Sequence, residues 1–205
     1  MKTSFLTFLF LLLTFGAVSQ NCLHQNLSKS FDFKTHLKRI HREGELIDTC
    51  VISVKIIEKK TKKIIQTIHF GSAFLFDDAY KKCSDVRSYI TGYNENAMAF
   101  DSDFGSIIVA DFNFDGKEDF ALKNDSGGNS GPTYSFFLQN QNGKFIKDIF
   151  LSEQMEFFPS ILNKKNKTLT TFVFVSYSRN SKMVYKYNSK KKIWKRIEHS
   201  FLPIH

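Results

Sequence analysis

Five oxygen donors stand at regular spacing in VADFNFDGKEDFAL, Val109 to Leu122. Asp111, Asn113 and Asp115 alternate, Gly116 follows, and Lys117 and Asp119 continue at every second position. Calcium is a hard cation that takes roughly six to eight oxygens, and a short loop can present most of them from alternate places. Asp111, Asn113 and Asp115 would then hold the first, third and fifth places, with Gly116 permitting the sharp turn. Lys117 would offer its backbone carbonyl, and Asp119 would close the shell. Two like charges ~5 Å apart repel by about 3 kcal/mol at an effective dielectric of about 20, so carboxylates gathered this way ask for a cation. The competing reading is an Asp115-Gly116 hairpin turn with solvated carboxylates. That reading accounts for the turn but not for the spacing of the other donors. Magnesium fits less well, because it keeps several waters of its own.

The elements around the loop are strands. An EF-hand would need a glutamate at the twelfth place, where Leu122 stands, and helices on both sides. Instead SIIVA enters and DFALKN leaves, both rich in strand formers, and Phe112, Phe114 and Phe120 alternate with the donors as anchors into a core. Cys50 to Phe70, CVISVKIIEKKTKKIIQTIHF, reads as a hairpin with Lys59 to Lys62 at its tip. Ile52, Val54 and Ile56 would share its buried face, with Ser53 and Lys55 opposite. Further short strands follow, such as TYSFFLQN, TLTTFVFVSY and KIWKRIE, joined by polar turns such as Asn140-Gln141-Asn142-Gly143. Roughly ten short strands at close spacing predict an all-β domain of antiparallel sheets, either partial β-propeller-like or a β-sandwich. Only Lys34 to Arg42 and Asp77 to Lys82 are weak helix candidates.

The chain opens MKTSFLTFLFLLLTFGAVSQNC: a lysine, an apolar run and the small-residue site Ala17-Val18-Ser19. These are the parts of a secretory signal peptide over residues 1–19. Residues 20–205 would be one all-β domain, with 20–45 partly mobile. The expected place is the periplasm or the medium, with no transmembrane segment. A lipid anchor on Cys22 is disfavoured, because Asn21 rather than a small residue precedes it. In an oxidising compartment the three cysteines suggest one pair and one leftover thiol, and Cys50–Cys83 is the expected pair.

The net charge is +9, unevenly spread. Residues 95–131 carry eight acidic and two basic residues, whereas 164–198 carry eleven basic and one acidic. A bipolar chain of this kind argues against nucleic-acid binding, which needs a continuous basic face. Catalysis is not expected either. The six histidines are scattered, and no nucleophile elbow, zinc motif or phosphate loop occurs.

DFNFDGKEDFAL resembles the calcium loop of FG-GAP and VCBS-type β repeats. The arrangement from Cys50 to Glu198 is more closely similar to exported bacterial proteins with one such loop. Among them are calcium-binding periplasmic immunity proteins that neutralise lysozyme-like effectors of type IV secretion systems. Directly after the loop comes NDSGGNSGPTYSFFL, in which Ser130-Gly131-Pro132-Thr133-Tyr134 matches the S-G-x-x-Y motif of bacterial lysozyme inhibitors. The resemblance implies that this segment enters a lysozyme cleft. Ser130 would hydrogen-bond there, Gly131 would shape the loop, and Tyr134 would either join Ser130 or brace the loop from below. It further implies a calcium-stabilised inhibitor of a peptidoglycan-cleaving enzyme, with calcium positioning the segment Gly127 to Tyr134. Many lysozymes are basic, so the acidic window would have to make the contact. The alternative is a non-catalytic envelope or surface module for a glycan or protein, using calcium only for stability.

Overall fold

The chain alternates apolar and polar side chains with period two, and it folds into three open sheets. The computed structural model describes residues 19–40, 49–72, 75, 79–80, 82–95, 104–127, 131–155 and 157–203. The first sheet is an antiparallel meander of β1 (Ser19–His24), β2 (Phe31–Ile40), β3 (Thr49–Glu58) and β4 (Ile64–Ser72), in that order. The central sheet holds β5 (Val86–Ser88), β6 (Asn94–Glu95), β7 (Ile107–Ala110), β8 (Asp119–Asp125), β9 (Thr133–Gln139) and β10 (Phe145–Lys147). Its order is β10-β9-β8-β7-β5-β6, with β5 parallel to β7 and the other pairs antiparallel. The third sheet is the meander β11 (Ile161–Asn163), β12 (Thr168–Ser176), β13 (Arg179–Asn188) and β14 (Ile193–Pro203). A π-helical turn, Phe150–Gln154, lies between the last two sheets in sequence.

The central sheet is buried on both faces, which explains the unbroken apolar run of β7. Ile107 and Val109, with Phe120 and Leu122 of β8, join a core built with Phe33, Leu37, Ile52, Val54 and Ile56 of the first sheet. Ile108, Ala110 and Ala121 turn the other way and join Leu169, Met183, Tyr185 and Trp194 of the third. Each fully buried side chain of this size contributes about 1.5–3 kcal/mol of transfer free energy, so the central strands are a rigid frame for the turns at their ends. The sheets close into neither a barrel nor a propeller ring.

The N-terminal segment holds two strands, and β1 pairs along its whole length with Phe33 to Lys38 of β2. Two expectations are corrected. Lys34 to Ile40 is strand rather than helix, with Phe33, Thr35 and Leu37 on the buried face of β2. The disulfide joins Cys22 to Cys83, with Cα atoms 5.4 Å apart, while Cys50 stays outside it as a thiol only 1% exposed. Cys50 shares the parity of Ile52, Val54 and Ile56, so it points into the core, where Arg39 Nη1 lies 3.8 Å from its sulfur. Pairing of β1 with β2 carries Cys22 to the turn that holds Cys83. Residues 1–18 of the expected signal peptide, and Asp77, Asp78 and Lys81 of the second helix candidate, lie outside the described residues. Among the described residues no helix is long and apolar enough to cross a membrane.

Candidate functional site

The donor loop is the turn between β7 and β8. Phe112 and Phe114 are buried in the core facing the third sheet, and Phe120 in the core facing the first, so the loop is pinned from both sides. Phe114 has φ +58 and Gly116 has φ +88. A left-handed phenylalanine is strained, and it is held here by burial against Trp194, ring centroids 6.3 Å apart. The two left-handed residues curl the chain so that side-chain oxygens meet backbone donors. Asp115 N–H donates to Asp111 Oδ1 at 2.9 Å and to Asn113 Oδ1 at 3.0 Å. Gly116 N–H donates to Asp111 Oδ2 at 2.9 Å, and Lys117 N–H to Asp115 Oδ1 at 2.9 Å.

Asp119 is the deepest donor, 0% exposed. Phe112 N–H gives its Oδ2 a bond of 2.9 Å and Gln139 N–H gives its Oδ1 one of 2.8 Å. Burial raises its pKa to about 8; the Gln139 N–H pulls down, Asp115 pushes up, and Phe112 N–H and Asp111 oppose each other with smaller effect. Burial likewise raises the Asp111 carboxyl, against the Gly116 and Asp115 N–H groups, and the Asp115 charge adds to the rise. Among the described residues no three His, Cys, Asp or Glu side chains are gathered closely enough to hold a metal by themselves. The carboxylates of this loop are turned to backbone N–H groups instead. The donor set still fits a hard cation. All five contributors are oxygens, two of them a side-chain amide and a main-chain carbonyl, and a buried carboxylate facing two others is favoured in its charged form by a positive ion.

One residue of the loop escaped the sequence reading. Glu118 accepts the hydroxyl of Ser28, and its carboxylate takes the N–H groups of Lys29 at 2.8 Å and Ser30 at 3.1 Å. It clamps the donor loop to the turn between β1 and β2. Partners about ninety residues away leave no local signal. The Lys117 Nζ reaches the carbonyl of Asn140 at 2.9 Å.

The glycine-rich segment lies elsewhere. It is the turn between β8 and β9, at the opposite end of β8 from the donor loop, roughly 20 Å away along the strand. Calcium in the donor loop is expected to position a neighbouring segment, Gly127 to Tyr134, but the two turns stand apart: consecutive turns of a meander fall at opposite ends of the sheet. Gly127 and Gly131 have φ +67 and +92, and a Cβ on Gly127 would overlap the Gly131 carbonyl. The base of the loop is thus pinched shut by two glycines. Asp125 Oδ1 accepts the Gly127 N–H at 2.6 Å. Tyr134 is 2% exposed. Its hydroxyl donates to Gly105 O at 3.0 Å and accepts from Phe104 N–H at 3.2 Å, while its ring packs on Phe158 at 5.0 Å. Tyr134 is thereby anchored to residues 104–105 and to the core facing the third sheet. Ser130 lies outside the described residues.

No protein-family model matches the sequence, and no curated protein does. A solved structure, a Xanthomonas type IV secretion system related protein, is similar in fold: 15% identity, TM-score 0.56, covering 89% of this chain and 81% of that one. At that identity the likeness concerns the fold alone.

Proposed function

We propose that the chain is an exported, calcium-stabilised binding protein that inhibits a lysozyme-like, peptidoglycan-cleaving enzyme, as an immunity protein does. The observation that carries the reading is the close approach of Gly127 to Gly131 where β8 gives way to β9, a strand anchored in the core by the buried Tyr134. Binding loops gain affinity when their shape is fixed before contact, because less conformational freedom is lost on docking. The structural neighbour is a type IV secretion system related protein, and the proposal takes the same setting for this chain. Ser130 and Gly131 would carry the contact and Tyr134 would hold it in place.

Calcium would be held by Asp111, Asn113, Asp115, the Lys117 carbonyl and Asp119. Bound there, the ion supplies positive charge to a buried carboxylate cluster and so stabilises the fold. Asp119 and Glu118 tie the same loop to β9 and to the β1–β2 turn, so its ordering is transmitted to the first two sheets. The test is a panel of lysozyme-like enzymes assayed by clearing of cell-wall suspensions, with the mature chain in calcium. Dose-dependent inhibition of at least one member is expected. Absence of inhibition across the panel, with a folded protein, would overturn the reading.

A further inference from the structure

A groove of about 800 Å³ opens at the donor-loop end of the molecule, far from the glycine-rich loop. Its walls come from the donor loop, the β9–β10 turn, the β11–β12 turn at Lys167 and the β13–β14 turn at Ser189 and Lys192. Three features of the lining define what it would accept.

The first is an amide-rich wall: Asn113, Gln139, Asn140, Gln141 and Asn142 all border the groove. Carboxamides both donate and accept, as sugar hydroxyls do, so such a wall pairs with a polyhydroxylated chain without a fixed charge pattern. The second is an aromatic floor. Tyr187 and Phe114 line the groove, and both rings rest on Trp194, at 4.8 and 6.3 Å between centroids. The indole is 8% exposed, and among the described residues its Nε1 has no hydrogen-bond partner. A supported ring face offers apolar area at little entropic cost, which suits the C–H face of a sugar ring. The third is charge. Lys117, Lys147, Lys167 and Lys192 border the groove against Asp115 and Asp148. Lys147 is ion-paired with Glu153 at 3.0 Å. Lys117 and Lys167 each give one bond to a neutral oxygen, at 2.9 Å to Asn140 O and 2.7 Å to Ser189 Oγ, leaving two N–H donors apiece.

We infer that this groove is a binding site for a carboxylate-bearing oligosaccharide, with Tyr187 as the platform for a sugar ring and Lys167 and Lys192 as partners for its carboxylates. The groove is open rather than enclosed, which suits a segment of a polymer. Occupancy would tether the protein to an acidic glycan while leaving the glycine-rich loop, at the other end of β8, free to meet its target. The inference does not rest on the inhibitor reading.

The test is an array of carboxylated oligosaccharides, comprising uronic-acid, sialic-acid and muramic-acid chains, probed with the full mature protein in calcium buffer. Methyl-esterified forms of the same sugars and a polyglutamate peptide serve as comparisons. At least one carboxylated chain should bind. Esterification, and the surface double variant Lys167→Glu/Lys192→Glu, should each weaken that binding about tenfold or more. Tyr187→Leu should weaken it while leaving the circular dichroism and melting temperature near wild type. Binding to no member of the array would overturn the assignment, as would binding indifferent to the lysine reversals. Equal or tighter binding of polyglutamate would overturn it in favour of an acidic peptide. Enzyme inhibition is read separately, so loss of either activity leaves the other interpretable.

Discussion

The two turns that flank β8 are built on opposite principles. At the start of the strand the donor loop is held by carboxylates: Asp111, Asp115, Glu118 and Asp119 take N–H groups from their own turn, from β9 and from the β1–β2 turn. At its far end the glycine-rich loop is shaped chiefly by the close approach of Gly127 to Gly131, with a single carboxylate, Asp125, accepting the Gly127 N–H. A turn rich in carboxylates responds to its charge balance, whereas a turn closed by glycines responds chiefly to shape. On the proposed function, stability would belong to one end and docking to the other.

The largest expected effect touches neither turn and so measures the frame between them. Replacing Cys22 and Cys83 by serine opens a covalent link across 61 residues, worth about 4 kcal/mol by the chain-entropy account. Urea unfolding should show that loss, with calcium response and inhibition retained in the folded fraction. Cys50→Ala should cost far less, and thiol labelling of the native protein should leave buried Cys50 unmodified. Next comes Asp119→Ala, which strands the Phe112 and Gln139 N–H groups and should cost roughly 2–4 kcal/mol. The same variant should lose its calcium-dependent shift in melting temperature. Calcium itself should add about 2.7 kcal/mol at a hundredfold excess over its dissociation constant, a rise of roughly 5–10 °C that chelation reverses. Tyr134→Phe is the smallest change. It should cost about 1 kcal/mol in stability yet reduce inhibition, because it removes the brace beneath the loop.

Local pattern made much of this legible. The hairpin β3–β4 and its lysine tip follow from alternation alone, and Ile52, Val54 and Ile56 are buried as the period demands. The donor loop was readable because its spacing is local. β2 was read as a weak helix because its polar residues, among them Lys34, His36, Lys38 and Arg39, mask the buried series Phe33, Thr35, Leu37. The disulfide was missed for a different reason: it depends on β1 pairing with β2, a tertiary event that brings Cys22 beside a turn sixty residues away. Glu118 is hidden in the same way. The separation of the two turns, by contrast, was implicit in the strands themselves, since a chain that reverses twice around one strand must do so at its two ends.

The division of labour along β8 is tested most directly by one inhibition experiment. Wild type and Gly127→Val are titrated against a susceptible lysozyme-like enzyme, each with calcium and with chelator, at a temperature where circular dichroism shows both folded. A valine at this position must overlap the Gly131 backbone and adopt an unfavourable left-handed conformation, so the loop base has to open. The account predicts that chelator leaves the wild-type inhibition constant within about twofold, whereas Gly127→Val weakens inhibition at least about tenfold with its calcium-dependent melting shift intact. Inhibition that vanishes with calcium in the folded wild type, or that survives Gly127→Val unchanged, would contradict it.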